Sequence, residues 1–309
     1  MALGDASLVS LRVFREVAER GTLTAAAAAL GYTESGVSRQ IASLERAAGT
    51  PLLERHHNGV STTQAGQIVL HHAAATVDQM DAAAREVAGI PDEAGTVRLG
   101  WFPSAGVLLV PRALSALRDK HPAITVISCE ESTPRLVRAL RTFKLDLVLL
   151  VSMPPYHPLD TETPALATQT LTEHSCRIAV PATHPLARGD YVDVTDLHGQ
   201  PWISGRGGIV RGGPAEGPQL GVWPGLDERP EITHAARDWL AKLHLVAAGF
   251  GLTTIPAVLQ DAVPPGVRVL PVRGGQSEQR RILLARLPGD PSEPVIRVAE
   301  ALRTAALTI

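Results

Sequence analysis

The apolar residues of positions 8–48 are spaced so that only a compact set of short helices buries them together. Leu11, Phe14, Val17 and Ala18 fall on one stripe of a first helix, which Gly21 ends. Thr24 is the expected N-cap of a second helix, Ala25 to Leu30, a run of strong helix formers. Gly31 and Tyr32 supply a tight turn. Thr33 is the expected cap of a third helix, whose buried face is Val37, Ile41, Leu44 and Ala48. Gly49-Thr50-Pro51 stops it. PLLERH, a turn at Asn58-Gly59 and GVSTT follow, and Asn-Gly between two strand-like runs is a strong hairpin signal. Three helices and a hairpin make a winged helix-turn-helix.

The opposite face of the third helix carries Glu34, Ser35, Ser38, Arg39 and Arg46. Small and polar side chains in its first turns suit a helix that enters the major groove of duplex DNA; bulky apolar ones would suit a protein partner. The candidate DNA-binding residues are therefore Thr33, Glu34, Ser35, Ser38 and Arg39 on the helix, with Arg55, His56 and His57 on the wing. Charge adds no independent support. Residues 1–60 hold six arginines against six acids, whereas a phosphate-gripping domain usually carries an excess of bases. Placement rather than sum favours DNA, and a dimer would double each phosphate contact. A helical domain with no DNA partner is the alternative that spacing alone leaves open.

The stretch ALGYTESGVSRQIASLERAAGTPLLER, followed by Thr63-Gln64-Ala65-Gly66, resembles the N-terminal domain of LysR-type transcriptional regulators. SRQIASLE, GTPLLER and TTQAG at their mutual spacing carry the resemblance, which extends over nearly the whole chain. It implies a regulator that binds double-stranded promoter DNA, dimerises through the helix after the wing and often pairs again into a tetramer. Leu53 stands where the family usually has Phe, and Thr62 where it usually has Leu. Glu34 stands where Gln is common. Gln bonds bidentately to adenine, whereas Glu accepts from cytosine N4 or repels phosphate, which bears on the base read at that contact.

Residues 63–94 form a connector after the winged unit of residues 1–62. Thr63 is the expected cap of a helix that runs to Ile90 and is ended by Pro91. Ile68, Ala75, Ala82 and Gly89 repeat every seven positions, as do Leu70, Val77 and Ala84. That period suits a second copy of the helix, hence a homodimer or homotetramer; packing on its own domain is the alternative. His71-His72 and His56-His57 are poor metal pairs, because neighbours on a helix diverge by about 100°. No metal and no cofactor is expected.

From residue 95 the pattern becomes strand–helix alternation. TVRLGWF, AITVISCE and KLDLVLLVS read as three strands joined by helices, one around Gly106 to His121 and one capped by Ser132 or Thr133 with Pro134 at its first position. ALATQTLTEHSCRIAVP reads as two strands opening a second lobe. PWISG and EITHAARDWLAKLHLVAAGFGLTTIPAVL continue it, VRVLPV and RRILLARL return the chain, and residues 292–307 close it as a helix. The expected class is α/β with an N-terminal all-α winged helix-turn-helix, a long linker helix and a two-lobed effector domain similar to periplasmic binding proteins. That domain covers residues 95–309, with lobe I about 95–165 and 271–309 and lobe II about 166–270.

Such a fold holds a small molecule between its lobes, at strand ends and helix N-termini. The effector candidates are Ser104, Ser132 and Thr133 in the first lobe and Ser204 and His234 in the second, where the resemblance also places effector contacts. The effector is unidentified, an anion being one candidate; plain N-capping is the alternative role for the first three. The Gly-rich segment 204–225 holds Arg206 and Arg211 but lacks the GK[ST] ending of a phosphate loop. A flap over an anionic ligand and an ordinary long loop both remain open for it.

The chain has 309 residues and a formal charge of −2. Its longest apolar run, residues 145–153, is far below the roughly 18 residues of a membrane span, and no signal sequence opens it. Cys129 and Cys176, with no CxxC spacing, are expected as buried strand residues in a reducing compartment. A cytoplasmic protein without a membrane partner follows. No GxSxG, HExxH or strand-borne GxGxxG is present, so no catalytic residues and no enzyme are expected. The alternatives are a regulator whose effector domain is structural and ligand-independent, and a small-molecule binding protein with no DNA role.

Overall fold

The computed structural model of the chain describes residues 3–57, 59–88, 94–153, 156, 158–205, 221–224, 226, 230–236, 238–274 and 279–308. It opens with α1 (Leu8–Arg20), α2 (Leu23–Leu30), α3 (Glu34–Ala48) and a hairpin of β1 (Leu53–His56) and β2 (Gly59–Thr62). Phe14, Val17, Ala27, Val37, Ile41, Leu44 and Leu52 form its core, as their spacing predicts. Each of the three helices ends on a glycine in the left-handed region, Gly21, Gly31 and Gly49. Thr33 caps α3 as expected, accepting from the Gly36 N–H at 3.1 Å. The second helix differs. Its N-cap is Thr22, whose hydroxyl accepts from the Ala25 N–H at 3.1 Å, and Thr24 lies inside the helix. Thr22 has the extended backbone a cap requires, and that starts the helix two residues early.

The hairpin closes with His56 opposite Gly59, so its connection is residues 57 and 58 rather than 58 and 59; residue 58 lies outside the described residues. Gly59 is needed there. The Val60 N–H donates to the Gly21 carbonyl at 2.7 Å, and a Cβ on Gly59 would fall 2.2 Å from that oxygen.

The connector is α4 (Gln64–Val87), capped by Thr63, which accepts from the Gly66 N–H at 2.9 Å. Of the two heptad series, Leu70 and Val77 are buried, Leu70 in the winged core, while Ile68 and Ala75 stay exposed. The alternative of packing on its own domain thus holds for one face, which lies on α1, where Arg15 pairs with Asp78 at 2.6 Å and Arg12 pairs with Asp81. The expected end at Ile90 and Pro91, and Gly89, lie outside the described residues.

The rest of the chain runs β3 (Gly95–Trp101), a 3-10 turn at Pro103–Gly106, α5 (Leu109–Lys120), β4 (Ile124–Glu130), α6 (Thr133–Arg141), β5 (Leu147–Ser152), β6 (Ala167–Pro181), β7 (Val192–Asp193), β8 (Pro201–Ser204), β9 (Glu231–Ala235), α7 (Trp239–Ala247), β10 (Thr253–Pro256), β11 (Val267–Leu270), β12 (Val272–Arg273), β13 (Gln279–Arg286) and α8 (Glu293–Ala306). β3 lies between β4 and β5, parallel to both, and β13 and then β6 join antiparallel beyond β5. Leu99, Leu109, Leu147, Leu149 and Leu302 form a core beneath α5 and α8; Leu136, Leu140, Val148 and Leu150 form another beneath α6. β5 is buried on both faces, as a continuous apolar strand must be.

Two expectations are corrected in the crossover. Residues 167–181 form one strand, not two, because no Gly or Pro interrupts the run before Pro181. Its first part pairs with β13, and its second part, from Cys176, pairs with β10 and β11. β11 accordingly stays with the second lobe, and β13 alone returns the chain. That lobe has Ile178, Val192, Trp202 and Trp223 packed on one side and Ala179, Ile203, Leu243, Val246 and Ile255 beneath α7 on the other. Cys176 is buried, but Cys129 is exposed, because β4 is the edge strand of its sheet. Among the described residues no helix is long and apolar enough to cross a membrane.

Candidate functional site

The outer face of α3 is built from short-range geometry. The Thr33 hydroxyl is engaged by the Gly36 N–H and lies 3.1 Å from the Ser35 hydroxyl. The Glu34 carboxylate accepts from the Thr24 hydroxyl at 2.8 Å, which ties the start of α3 to α2. Ser35 and Arg39 are exposed and Ser38 is half-buried. On the wing, Arg55, His56 and His57 are exposed, and His56 Nε2 lies 2.7 Å from the Ser61 hydroxyl across the hairpin. Sequence reasoning missed Glu45, which accepts from the Leu52 and Leu53 N–H groups at 2.8 and 3.2 Å and so locks the wing to α3. The arrangement presents hydroxyl and guanidinium donors on a convex ridge with a second cationic edge beside it, which suits base edges and phosphates.

The second set of candidates lies at or after the carboxyl ends of β3, β4 and β8 and on β9, on either side of the lobe crossover. In the first lobe, the Glu131 N–H donates to the Trp101 carbonyl at 3.0 Å, so the turns after β3 and β4 lie side by side. Ser104 is half-buried within the 3-10 turn, and α5 begins only at Leu109. Ser104 therefore lies in a separate turn ahead of the helix expected around Gly106 to His121, which starts three residues later, and Gly106 packs against the Trp101 ring. Ser132 occupies the N-cap position of α6, but its hydroxyl makes no capping bond; Thr133 is the first helical residue, and Pro134 the second rather than the first. In the second lobe, Ser204 is buried at the end of β8 and its hydroxyl donates to the Gly205 carbonyl at 2.8 Å. His234 on β9 sits opposite Ile203, its ring edge-on to Phe250 at 5.2 Å.

The structure adds Lys242 at this edge of the second lobe, and Arg280 and His174 on the β6–β13 ladder that joins the lobes. α7 follows β9, so its first turn lies at the carboxyl ends of β8 and β9. Lys242 there is 4% exposed, with its Nζ 4.6 Å from the centre of the Trp239 ring. Arg280, at the start of β13, is 7% exposed and donates through Nη2 to the Thr254 hydroxyl at 3.1 Å. His174 pairs directly with Arg280 across the ladder, and its Nε2 is buried with no hydrogen-bond partner among the described residues. Burial and the neighbouring Arg280 charge push Lys242 down to about 8, and burial lowers His174. Leu108 of the first lobe packs against the apolar cluster beneath α7, as does Trp239, so this corner touches both lobes. A lone lysine in the apolar run WLAKLHLVA was the available sequence signal. Among the described residues no group of three metal-ligating side chains occurs. Arg206 and Arg211 of the Gly-rich segment lie outside the described residues.

Two family models match the chain: "Bacterial regulatory helix-turn-helix protein, lysR family" over residues 8–67 and "LysR substrate binding domain" over residues 92–307. A probable hydrogen peroxide-inducible genes activator of Mycobacterium avium is 32% identical over 261 residues, 84% of this chain and 79% of the relative. The Hca operon transcriptional activator HcaR of Escherichia coli is 28% identical over 85% of this chain and 86% of its own length. Among solved structures, a full-length OxyR from Pseudomonas aeruginosa superposes with a TM-score of 0.71 at 20% identity, covering 97% of this chain and 94% of that one. Full-length CbnR complexed with its target DNA superposes with a TM-score of 0.53 at 21% identity, covering 97% and 99%.

Proposed function

The chain belongs to the LysR family of DNA-binding transcriptional regulators, and from that membership we propose how its two sites act together. α3 enters the major groove of an operator. Ser35, Ser38 and Arg39 reach base edges or phosphates, while Arg55, His56 and His57 hold the backbone beside it. Thr33 and Glu34 set the pitch of the helix rather than read bases, since their side chains are already engaged within the unit. The exposed Ile68–Ala75 face of α4 is the surface for a second copy, giving a homodimer or homotetramer that spans successive grooves. Residues 1–62, 63–94 and 95–309 serve as reader, connector and sensor.

The sensor holds a small molecule between its lobes, among Ser104, Ser132, Thr133, Ser204 and His234, and its closure re-spaces the readers. This is a binding role, not a catalytic one, and we place it in the cytoplasm. The mycobacterial relative is named for peroxide induction. Here partial desolvation and Glu131 push the exposed Cys129 thiol up, which disfavours the reactive thiolate, and Cys176 is buried. The cleft, rather than a thiol, is therefore read as the sensor.

The observation that carries the reading is the ridge of Ser35, Arg39 and Arg46, exposed on a helix whose opposite face is fully committed to the core. Fluorescence anisotropy of the full chain on labelled DNA from upstream of its own gene, with scrambled DNA as control, tests it. Tighter, salt-sensitive binding to the upstream DNA is expected. Equal affinity for both DNAs would count against sequence-specific reading of that region.

A further inference from the structure

α1, α2 and α3 each end on a left-handed glycine, but α6 ends on a left-handed phenylalanine. After Thr142 the chain takes a φ of 56° at Phe143. The Lys144 N–H donates to the Ala139 carbonyl at 2.9 Å and the Phe143 N–H to the Leu140 carbonyl at 3.1 Å, the pair of bonds that closes a helix over a left-handed residue. Glycine adopts that conformation without strain, and a bulky side chain there is an outlier. Such a residue persists where surrounding contacts hold it.

The contacts come from the other end of the chain. The Phe143 ring is half-buried, and the cluster it packs against is the core of the winged unit rather than the one beneath α6. Its centre lies 6.1 Å from that of the His71 ring on α4. Close by in the same connection, Asp146 accepts from the Arg98 backbone N–H at 2.7 Å and from its guanidinium at 3.0 Å, and that guanidinium also donates to Glu19 of α1 at 3.0 Å. One short connection, residues 142–146, thus supplies an aromatic ring and a carboxylate to the same joint. Contacts to two different helices remove the swivel that a single point of attachment would leave. Behind the joint, α6 is seated on its sheet through Leu136, Val137 and Leu140. In front of it, the winged unit is one body through its shared core and the Arg15–Asp78 pair. Ser35 and Arg39 of α3 remain exposed, so the joint leaves the reading face open.

We propose that Phe143 is a positioning residue for DNA reading: it locks the winged unit to the first lobe of the sensor and so sets the half-site spacing that an oligomer accepts. With that joint fixed, each reader stands at a set distance and angle from the next, and half-site spacing becomes a geometric consequence. The inference rests on reading α3 as the helix that enters the groove, and adds what fixes the separation of two such helices.

The test compares the full native chain with Phe143→Gly and Phe143→Tyr. Glycine deletes the ring and favours the left-handed turn, so the end of α6 is retained, whereas tyrosine keeps the ring. Spin labels on the exposed native Cys129 and on Ser43→Cys of α3, diluted with unlabelled chain, report the distance from sensor to reader. Anisotropy on the upstream DNA, and on the same DNA with about five base pairs (half a helical turn) inserted at the centre of the bound region, reports spacing. The native and tyrosine chains should show one narrow distance and lose about tenfold or more in affinity on the lengthened DNA. Phe143→Gly should show a broad distance and discriminate between the two DNAs by less than about threefold. The proposal is overturned if the glycine variant keeps the narrow distance, if it keeps the native ratio between the two DNAs, or if tyrosine behaves like glycine. Selective DNA binding with a distance that does not respond keeps the DNA reading and removes Phe143 from it. A distance that broadens in Phe143→Gly, with no preference of the native chain for the upstream DNA, leaves the joint but overturns the operator reading and the positioning role together.

Discussion

The joint between the winged unit and the sensor handles charge in the opposite way from the crossover between the sensor's lobes. At the joint, Arg98 on β3 donates to Asp146 and to Glu19 of α1, each at 3.0 Å, and Glu19 also binds Arg15 at 3.1 Å. Burial alone would lower the affinity of Arg98 for its proton, but the two carboxylates raise it above the usual value, and Asp78 and Glu19 do the same for Arg15. At the crossover, Lys242 is buried more deeply and no described acid answers it. Balanced charges fix a scaffold. An unbalanced one is a standing penalty on the folded state.

The largest way to test that contrast is to remove the unbalanced charge. The fall of Lys242 from 10.5 to about 8 corresponds to about 3 kcal/mol against the folded state at neutral pH. Lys242→Met should therefore unfold at higher urea than the native chain, by up to that amount, in the absence of ligand. The pH dependence carries a definite sign. Below 8 both folded and unfolded chains hold the proton, and the penalty is complete. Between 8 and 10.5 the unfolded chain binds more protons, so native stability rises with pH and the penalty fades. The methionine variant lacks this rise. Equal stability of the two proteins at pH 7 would mean that Trp239 and solvent already balance the ammonium.

The balanced side predicts the reverse. Arg98→Ala leaves Glu19 and Asp146 half-buried without their shared cation and should cost about 1–2 kcal/mol, less than a fully buried pair because all three groups keep some solvent. Loss of the same amount in Arg98→Lys would show that the forked geometry matters more than the charge. Arg39→Ala tests the surface instead of the interior. Nothing in the fold depends on this exposed side chain, so Tm should hold while operator affinity falls about tenfold and the salt slope drops by about one.

The contrast also separates what a sequence shows from what it hides. The caps at Thr33 and Thr63 and the glycine stops are decided within four residues, so periodicity and turn chemistry reach them. Even there, Thr22 and Thr24 both satisfy the composition rule, and only backbone conformation chooses between them. β6 was harder. An unbroken strand carries no mark of the point at which it leaves one sheet for another, and the β10, β11 and β13 partners that define that point come 72 or more positions later. Lys242 is half-hidden for a related reason: a lone lysine in an apolar run marks it, but its burial is decided only when helix and sheet meet in the folded chain.

The smallest effect is expected where the recognition helix departs from the family's common residue. Glu34 accepts from Thr24 and faces solvent at the start of α3, close to where phosphates must pass. Glu34→Gln keeps an acceptor for the hydroxyl and removes one negative charge, so folding should be unchanged within about 0.5 kcal/mol. Operator affinity should rise two- to threefold at low salt, and the difference should shrink as salt screens the charge. A gain confined to operators altered at a single base pair would instead make Glu34 a base-reading contact. Its bond to Thr24 would then have to open on DNA. Thr24→Val distinguishes the cases, because it frees the carboxylate without changing charge. If Glu34 only positions the helix, that variant weakens binding to all operators alike; if Glu34 reads a base, it strengthens binding to one.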